Sequence, residues 1–147
     1  MKRVKLFIVS LVCLFAANTA CHAFELPIST NLLPAAAKNF IERNFPGRYI
    51  AYACIDTDYM DSKYEVCLND GTEIDFNWDG TLEKIDCHRA VVPQGFVPPA
   101  IRHFVRTHFP GAVIVKVDRE RYGYDIELSN DIELKFNHQG DFLYYDD

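Results

Sequence analysis

Asp75, Asn77, Asp79 and Gly80, followed by Asp86, fall at the spacing of a calcium-binding loop, with Asp where the closing Glu would stand. Oxygen ligands at alternate positions around a glycine turn are what calcium takes. Three features weigh against that chemistry. No helix pattern flanks the stretch, Phe76 belongs to an apolar strand face, and a second copy of the stretch carries Lys135, Asn137, Gln139 and Gly140 in the same places. The copy keeps the turn and loses the ligands, so a turn built on Asn and Gly explains both. Calcium at Asp75, Asn77 and Asp79 stands as the alternative. The histidines do not gather: His103 and His108 lie about 140° apart around one helix, and His88 and His138 fall in loops. No His-Glu-x-x-His, Gly-x-Ser-x-Gly or phosphate-loop pattern occurs. The survey nominates no catalytic residue and no cofactor, and the expectation is a protein that is not an enzyme.

The elements that must position these residues come in two copies. Leu33 to Gly47 returns 64 residues later as Val97 to Gly111, and Tyr64 to Gly80 returns at an offset of 60 as Tyr124 to Gly140. Ala37, Phe40, Ile41 and Phe45 recur at helical spacing, as do Ile101, Phe104, Val105 and Phe109. Pro34 and Pro98 suit a helix start, where no backbone donor is needed. Pro46-Gly47 and Pro110-Gly111 stop the two helices. Period-two runs follow: Tyr64, Val66 and Leu68; Ile74 and Phe76; Val113, Val115 and Val117; Tyr124, Ile126 and Leu128; Ile132, Leu134 and Phe136. Asn69-Asp70-Gly71 and Asn77 to Gly80 read as hairpin turns, matched by Ser129 to Asp131 and Asn137 to Gly140. Last strands are expected near Thr81 to Cys87 and Asp141 to Tyr145. The fold class expected is α+β: two tandem α-β4 repeats forming a pseudo-continuous antiparallel sheet, with the helices on one face.

One sheet face is then open, and the alternation says what it carries. A three-residue turn at 69 to 71 sets Glu65 opposite Asp75, and the matching turn sets Glu127 opposite Glu133. Lys135 shares that face. Tyr52 and Trp78 stand among the acids, and aromatic residues of this kind are favoured where proteins meet. Cys54 and Cys67 fall on neighbouring strands and point to the same face. If the first hairpin turns near Met60 they oppose each other as a disulfide; free thiols are the other reading, and no Cys-x-x-Cys supports redox work.

Residues 1–23 read as a signal peptide, with Lys2, Arg3 and Lys5 before an apolar stretch and Cys21-His22-Ala23 at the cleavage site. That stretch is too short for a mature membrane span. Ala20-Cys21 offers a lipidation site as the less favoured alternative. The division expected is a first repeat over 24–89 and a second over 90–147, together one domain. Without the three leader cations, 12 basic side chains face 21 acidic, a formal charge of −9. Such a surface repels nucleic acid and anionic lipid, so neither is expected as a partner.

A helix, Phe-Pro-Gly, and a meander with Asn-x-x-Gly before its last strand, given twice, resembles the PepSY-like periplasmic proteins, which are also likened to the beta-lactamase-inhibitor protein. The motif residues are Phe45-Pro46-Gly47 and Asn77 to Gly80, then Phe109-Pro110-Gly111 and Asn137 to Gly140, within a likeness running from about Leu33 to Tyr145. The resemblance implies a secreted binding or inhibitory module with one long curved sheet, and carries over no catalytic residues. The function expected is a non-enzymatic periplasmic or secreted module. It binds or inhibits another protein, a peptidase or hydrolase, through Tyr52, Glu65, Asp75, Trp78, Glu127, Glu133 and Lys135. The alternative is an envelope protein that binds a small ligand or calcium.

Overall fold

The computed structural model describes residues 25–56 and 63–146. The signal-peptide reading of residues 1–23 and the hairpin near Met60 lie outside them. In chain order the elements are β1 (Glu25–Pro27), a 3-10 turn (Thr30–Leu32), α1 (Ala35–Asn44), β2 (Ile50–Asp56), β3 (Lys63–Leu68), β4 (Glu73–Asn77) and β5 (Leu82–Asp86). A second 3-10 turn (Gln94–Phe96) leads to α2 (Pro99–His108), β6 (Ile114–Glu120), β7 (Gly123–Leu128), β8 (Glu133–Asn137) and β9 (Phe142–Asp146). The strands form one antiparallel sheet in sequence order, β1 to β9. The architecture is α+β, with one strand more than the alternation implied. β1 has three residues and no apolar period of its own; it forms by pairing Leu26 with Ile55 and Pro27 with Cys54.

Both helices seat on the same sheet face. In α1, Ala37 and Ile41 are buried; in α2, Ile101 and Val105 are. Phe40 meets Phe76 edge-on at 5.5 Å, and Phe104 meets Phe136 edge-on at 5.3 Å. Cross-strand register links the two contacts: Ile74 faces Ile85, Ile85 faces Val117, Val117 faces Ile126, and Ile126 faces Leu134. That row is the floor of a single apolar core. The segment between the halves is part of it, since Val92 and Val97 are buried and Phe96 meets Phe40 at 4.5 Å.

Two glycines let the hairpin turns abut the helices. Gly80 and Gly140 have φ of +82° and +84°, a region costly for residues with a Cβ. A Cβ on Gly80 would also lie 2.9 Å from Pro34 Cβ, and one on Gly140 would lie 3.0 Å from Ala100 Cβ. Gly123 is tighter: with φ +152°, a Cβ there would stand 2.0 Å from the Phe136 carbonyl oxygen.

Phe136→Ala removes a wholly buried ring and should cost about 3–5 kcal/mol in urea unfolding. Gly123→Ala should break the β7–β8 pairing, read as lost amide protection from Tyr124 to Phe136, because backbone atoms cannot retreat as a side chain would.

Candidate functional site

The face away from the helices carries two rows of side chains across the sheet. One runs Cys54, Glu65, Asp75, Lys84, Asp118, Asp125, Lys135 and Tyr144, each across from the next. The other runs Tyr52, Cys67, Glu73, Asp86, Lys116, Glu127, Glu133 and Asp146. Glu65 stands opposite Asp75 and Glu127 opposite Glu133, and Asp118 opposite Asp125 adds a third acidic pair. Like charges placed so repel, and lysines interleave with them.

In the first half, Asp75 is buried with Lys63 Nζ at 3.7 Å and Lys84 Nζ at 3.9 Å. Burial pushes its carboxyl above the usual range, and the two lysines only partly offset this. Beside it lies a cleft of about 250 Å³ lined by Tyr52, Glu65, Cys67, Glu73, Asp75 and Lys84. Burial, then the Cys67 thiol, raises the Tyr52 hydroxyl.

The second half is held by Lys135. Its Nζ donates to Asp125 Oδ2 at 2.6 Å and to Glu133 Oε2 at 3.2 Å. Burial alone would lower the ammonium, but those two hydrogen bonds together with the Asp125 charge hold it above the usual lysine value. The Tyr122 hydroxyl donates to Asp125 Oδ1. Burial raises the Tyr122 hydroxyl first, and the carboxylate beside it adds to this. Lys116 reaches Glu127 at 3.8 Å. Burial also raises Asp118, against Lys84 and Lys116.

Two expectations are corrected, for Trp78 and for the cysteines. Trp78 does not share this face. Its ring stacks on Tyr64 at 6.0 Å, and Tyr64 belongs to the helix-side row with Val66 and Phe76. Period two carries the side of Ile74 and Phe76 on to position 78, so the indole lies 67% exposed on the covered side's rim. The cysteines do face the open side, but Cys54 is paired with Glu65 and Cys67 with Tyr52. They are therefore diagonal neighbours, about 7–8 Å apart by general strand geometry, beyond the span of a disulfide. Cys67 keeps its thiol, which donates to the Leu68 carbonyl. Asn77 and Asp79 spend their side chains inside the turn: Thr81 N and Oγ1 donate to Asp79 Oδ1 at 2.9 and 2.7 Å, and Asn77 Nδ2 donates to Thr81 Oγ1 at 3.1 Å. Those Thr81 bonds hold the Asp79 carboxyl below its usual range. In the second turn Asn137 Oδ1 accepts from Gln139 N and Asp141 N in the same role. Among the described residues no cluster of three or more His, Cys, Asp or Glu side chains could hold a metal ion.

Tyr52, Glu65, Asp75, Glu127, Glu133 and Lys135 are thus on one face, and Trp78 is not. Missed from the sequence were Lys63, Lys84, Lys116, Asp125 and Tyr122. The first four follow from period two once the register is known. Tyr122 sits in a turn and carries no such signal. A larger cleft of about 670 Å³ lies on the helix side, between α2 and the approach to β6, lined by Arg102, His103, Arg106 and apolar residues. It shares no residue with the carboxylate–lysine face.

The chain matches the PepSY-like family, described as proposed beta-lactamase-inhibitor-like, over residues 62–144. It is similar to a solved structure of a proposed periplasmic protein of the DUF2874 family from Bacteroides vulgatus. Identity there is 33%, covering 86% of this chain and 100% of that one, with a TM-score of 0.80. A second Bacteroides vulgatus structure, a proposed periplasmic protein of unknown function, is 35% identical over 84% of this chain and 99% of that one, with a TM-score of 0.80. A third, from Bacteroides thetaiotaomicron, is described as a proposed calcium-regulated periplasmic protein. It is 32% identical over 84% of this chain and 97% of that one, with a TM-score of 0.79. No curated protein matches the chain.

The raised Asp75 carboxyl fixes a sign. A group whose pKa is higher folded than unfolded favours the fold while protonated and loses that contribution as the pH rises through its folded value. Asp75→Asn should therefore equal the parent near pH 3 and exceed it in urea midpoint at pH 7. Lys135→Met leaves Asp125 and Glu133 facing each other without their donor, and should cost about 1.5–3 kcal/mol in the same assay.

Proposed function

Because the chain belongs to the PepSY-like family, we propose that it is an exported, non-enzymatic module that grips another protein or peptide through its open sheet face. The observation carrying this reading is that face itself: a surface uncovered by any described element, with Tyr52 at one side and carboxylates interleaved with lysines across the rest. Charges arranged in this way select and orient a complementary surface more than they add raw affinity. Opposed acids such as Glu65 and Asp75 suit basic groups on the partner. The family's inhibitor-like description supports an exported peptidase or hydrolase as that partner, with inhibition as the outcome.

Residues 1–23 act as the leader in this reading, and the periplasmic description of the relatives supports an envelope location. The mature chain is two α-β4 units, 24–89 and 90–147, in one domain. Its support is the pairing of like contacts: Phe40 on Phe76 with Phe104 on Phe136, and Gly80 against Pro34 with Gly140 against Ala100.

Affinity capture from an envelope fraction tests the site. The parent and Trp78→Ala should enrich the same exported enzyme, while Tyr52→Ala combined with Glu127→Ala should lose it. An identical set from all three baits would remove the open face as the binding surface. The second reading is calcium binding at Asp75, Asn77 and Asp79, favoured by the description of the Bacteroides thetaiotaomicron relative. It requires Asp79 to exchange its Thr81 bonds for the ion. Millimolar calcium should then raise Tm for the parent and not for Asp79→Ala; an unchanged parent removes the reading.

A further inference from the structure

Among the described residues the sheet has two outer edges, β1 and β9, and they are built differently. β1 is three residues long and ends in Pro27, two devices that discourage further pairing. β9 is five residues long and contains no Pro, Lys or Arg. Its Leu143, Tyr144 and Tyr145 are all exposed.

The interior of the sheet shows what such an edge accepts. β9 meets β8 as β5 meets β4: Phe136 faces Phe142 where Phe76 faces Leu82, with a bulge beside each pair. Tyr144, Tyr145 and Asp146 therefore hold the places of Lys84, Ile85 and Asp86. The outer edge of β5 is taken by β6, which runs antiparallel and sets Val117 against Ile85 and Lys116 against Asp86. Ile85 is 0% exposed beneath that neighbour, and Tyr145, in the same place without one, is 61% exposed.

We propose that the outer edge of β9 is a strand-docking site for an extended segment of another protein, paired antiparallel, with an apolar residue against Tyr145 and a basic residue against Asp146. Backbone hydrogen bonds would give such a segment its hold and the alternate side chains its selectivity. A second copy of β9 is a poor occupant, because that strand has no base to set against Asp146. This edge borders the open face, whose rows end in Tyr144 and Asp146, but its hold is on the backbone of β9, so exchange at that edge and capture through Tyr52 and Glu127 can fail independently.

The probe is a synthetic peptide with the sequence of β6, Ile-Val-Lys-Val-Asp-Arg-Glu, added to the mature chain. Amide exchange should slow at Tyr145, whose N–H points to the outer edge as that of Ile85 points to β6, and a backbone N-methylated peptide should leave it unchanged. Replacing the peptide's Lys by Glu should weaken binding up to about fivefold, the scale of a cross-strand charge pair. Asp146→Lys, at an exposed position, should reverse that preference. Unchanged β9 exchange at millimolar peptide overturns the proposal. So does binding indifferent to both charge changes, or sedimentation that finds dimers with protected β9 amides in the absence of peptide.

Discussion

Phe76 and Phe136 are wholly buried, and each takes the edge of a helix phenylalanine. The rest of the structure depends on these two seats. Strands of five to seven residues alternate with period two, so an antiparallel sheet built from them hides one face and exposes the other. Among the described residues, two ten-residue helices and the segment carrying Val92, Phe96 and Val97 cover the apolar side. The helices come close enough because Gly80 and Gly140 keep the neighbouring turns free of side chains. Register does the remainder: once Ile74, Ile85, Val117, Ile126 and Leu134 line one face, every charged residue between them must line the other.

The open face carries the electrostatic cost of that arrangement. Acids stand opposite acids at Glu65 and Asp75, at Asp118 and Asp125, and at Glu127 and Glu133. Lysines interleave among them, and Lys135 is the most deeply set, holding Asp125 and Glu133 together. Asp75 and Asp118 are pushed toward the neutral form because their neighbours shield them from water more than the lysines compensate. A face tuned only for stability would replace such groups with neutral ones at little loss.

Much of the architecture could be read beforehand, and the reasons are local. The helices over Ala35–Asn44 and Pro99–His108 announce themselves by apolar spacing between a leading proline and a closing Pro-Gly. The turns after Asn77 and Asn137 do so through Asn and Gly. Elements that depend on a distant partner gave no such signal. β1 exists only because β2 offers it an edge, and the diagonal of Cys54 and Cys67 follows from how β2 and β3 slide past each other. The mixed character of the open face was hidden for the same reason: Lys84 and Lys116 look unrelated until β5 and β6 bring them beside Asp75 and Asp86.

The amino-acid sequence by itself determined the two helices, the turns after Asn77 and Asn137, and the apolar side of β3, β4, β7 and β8, since those depend on spacing along a few neighbouring residues. Only the tertiary structure decided the register that sets Ile85 against Val117 across β5 and β6, that Trp78 stacks on Tyr64, and that no described strand takes the outer edge of β9. Each of those outcomes is set by contact between residues far apart in the chain, and no local period encodes which distant strand will fill a given edge.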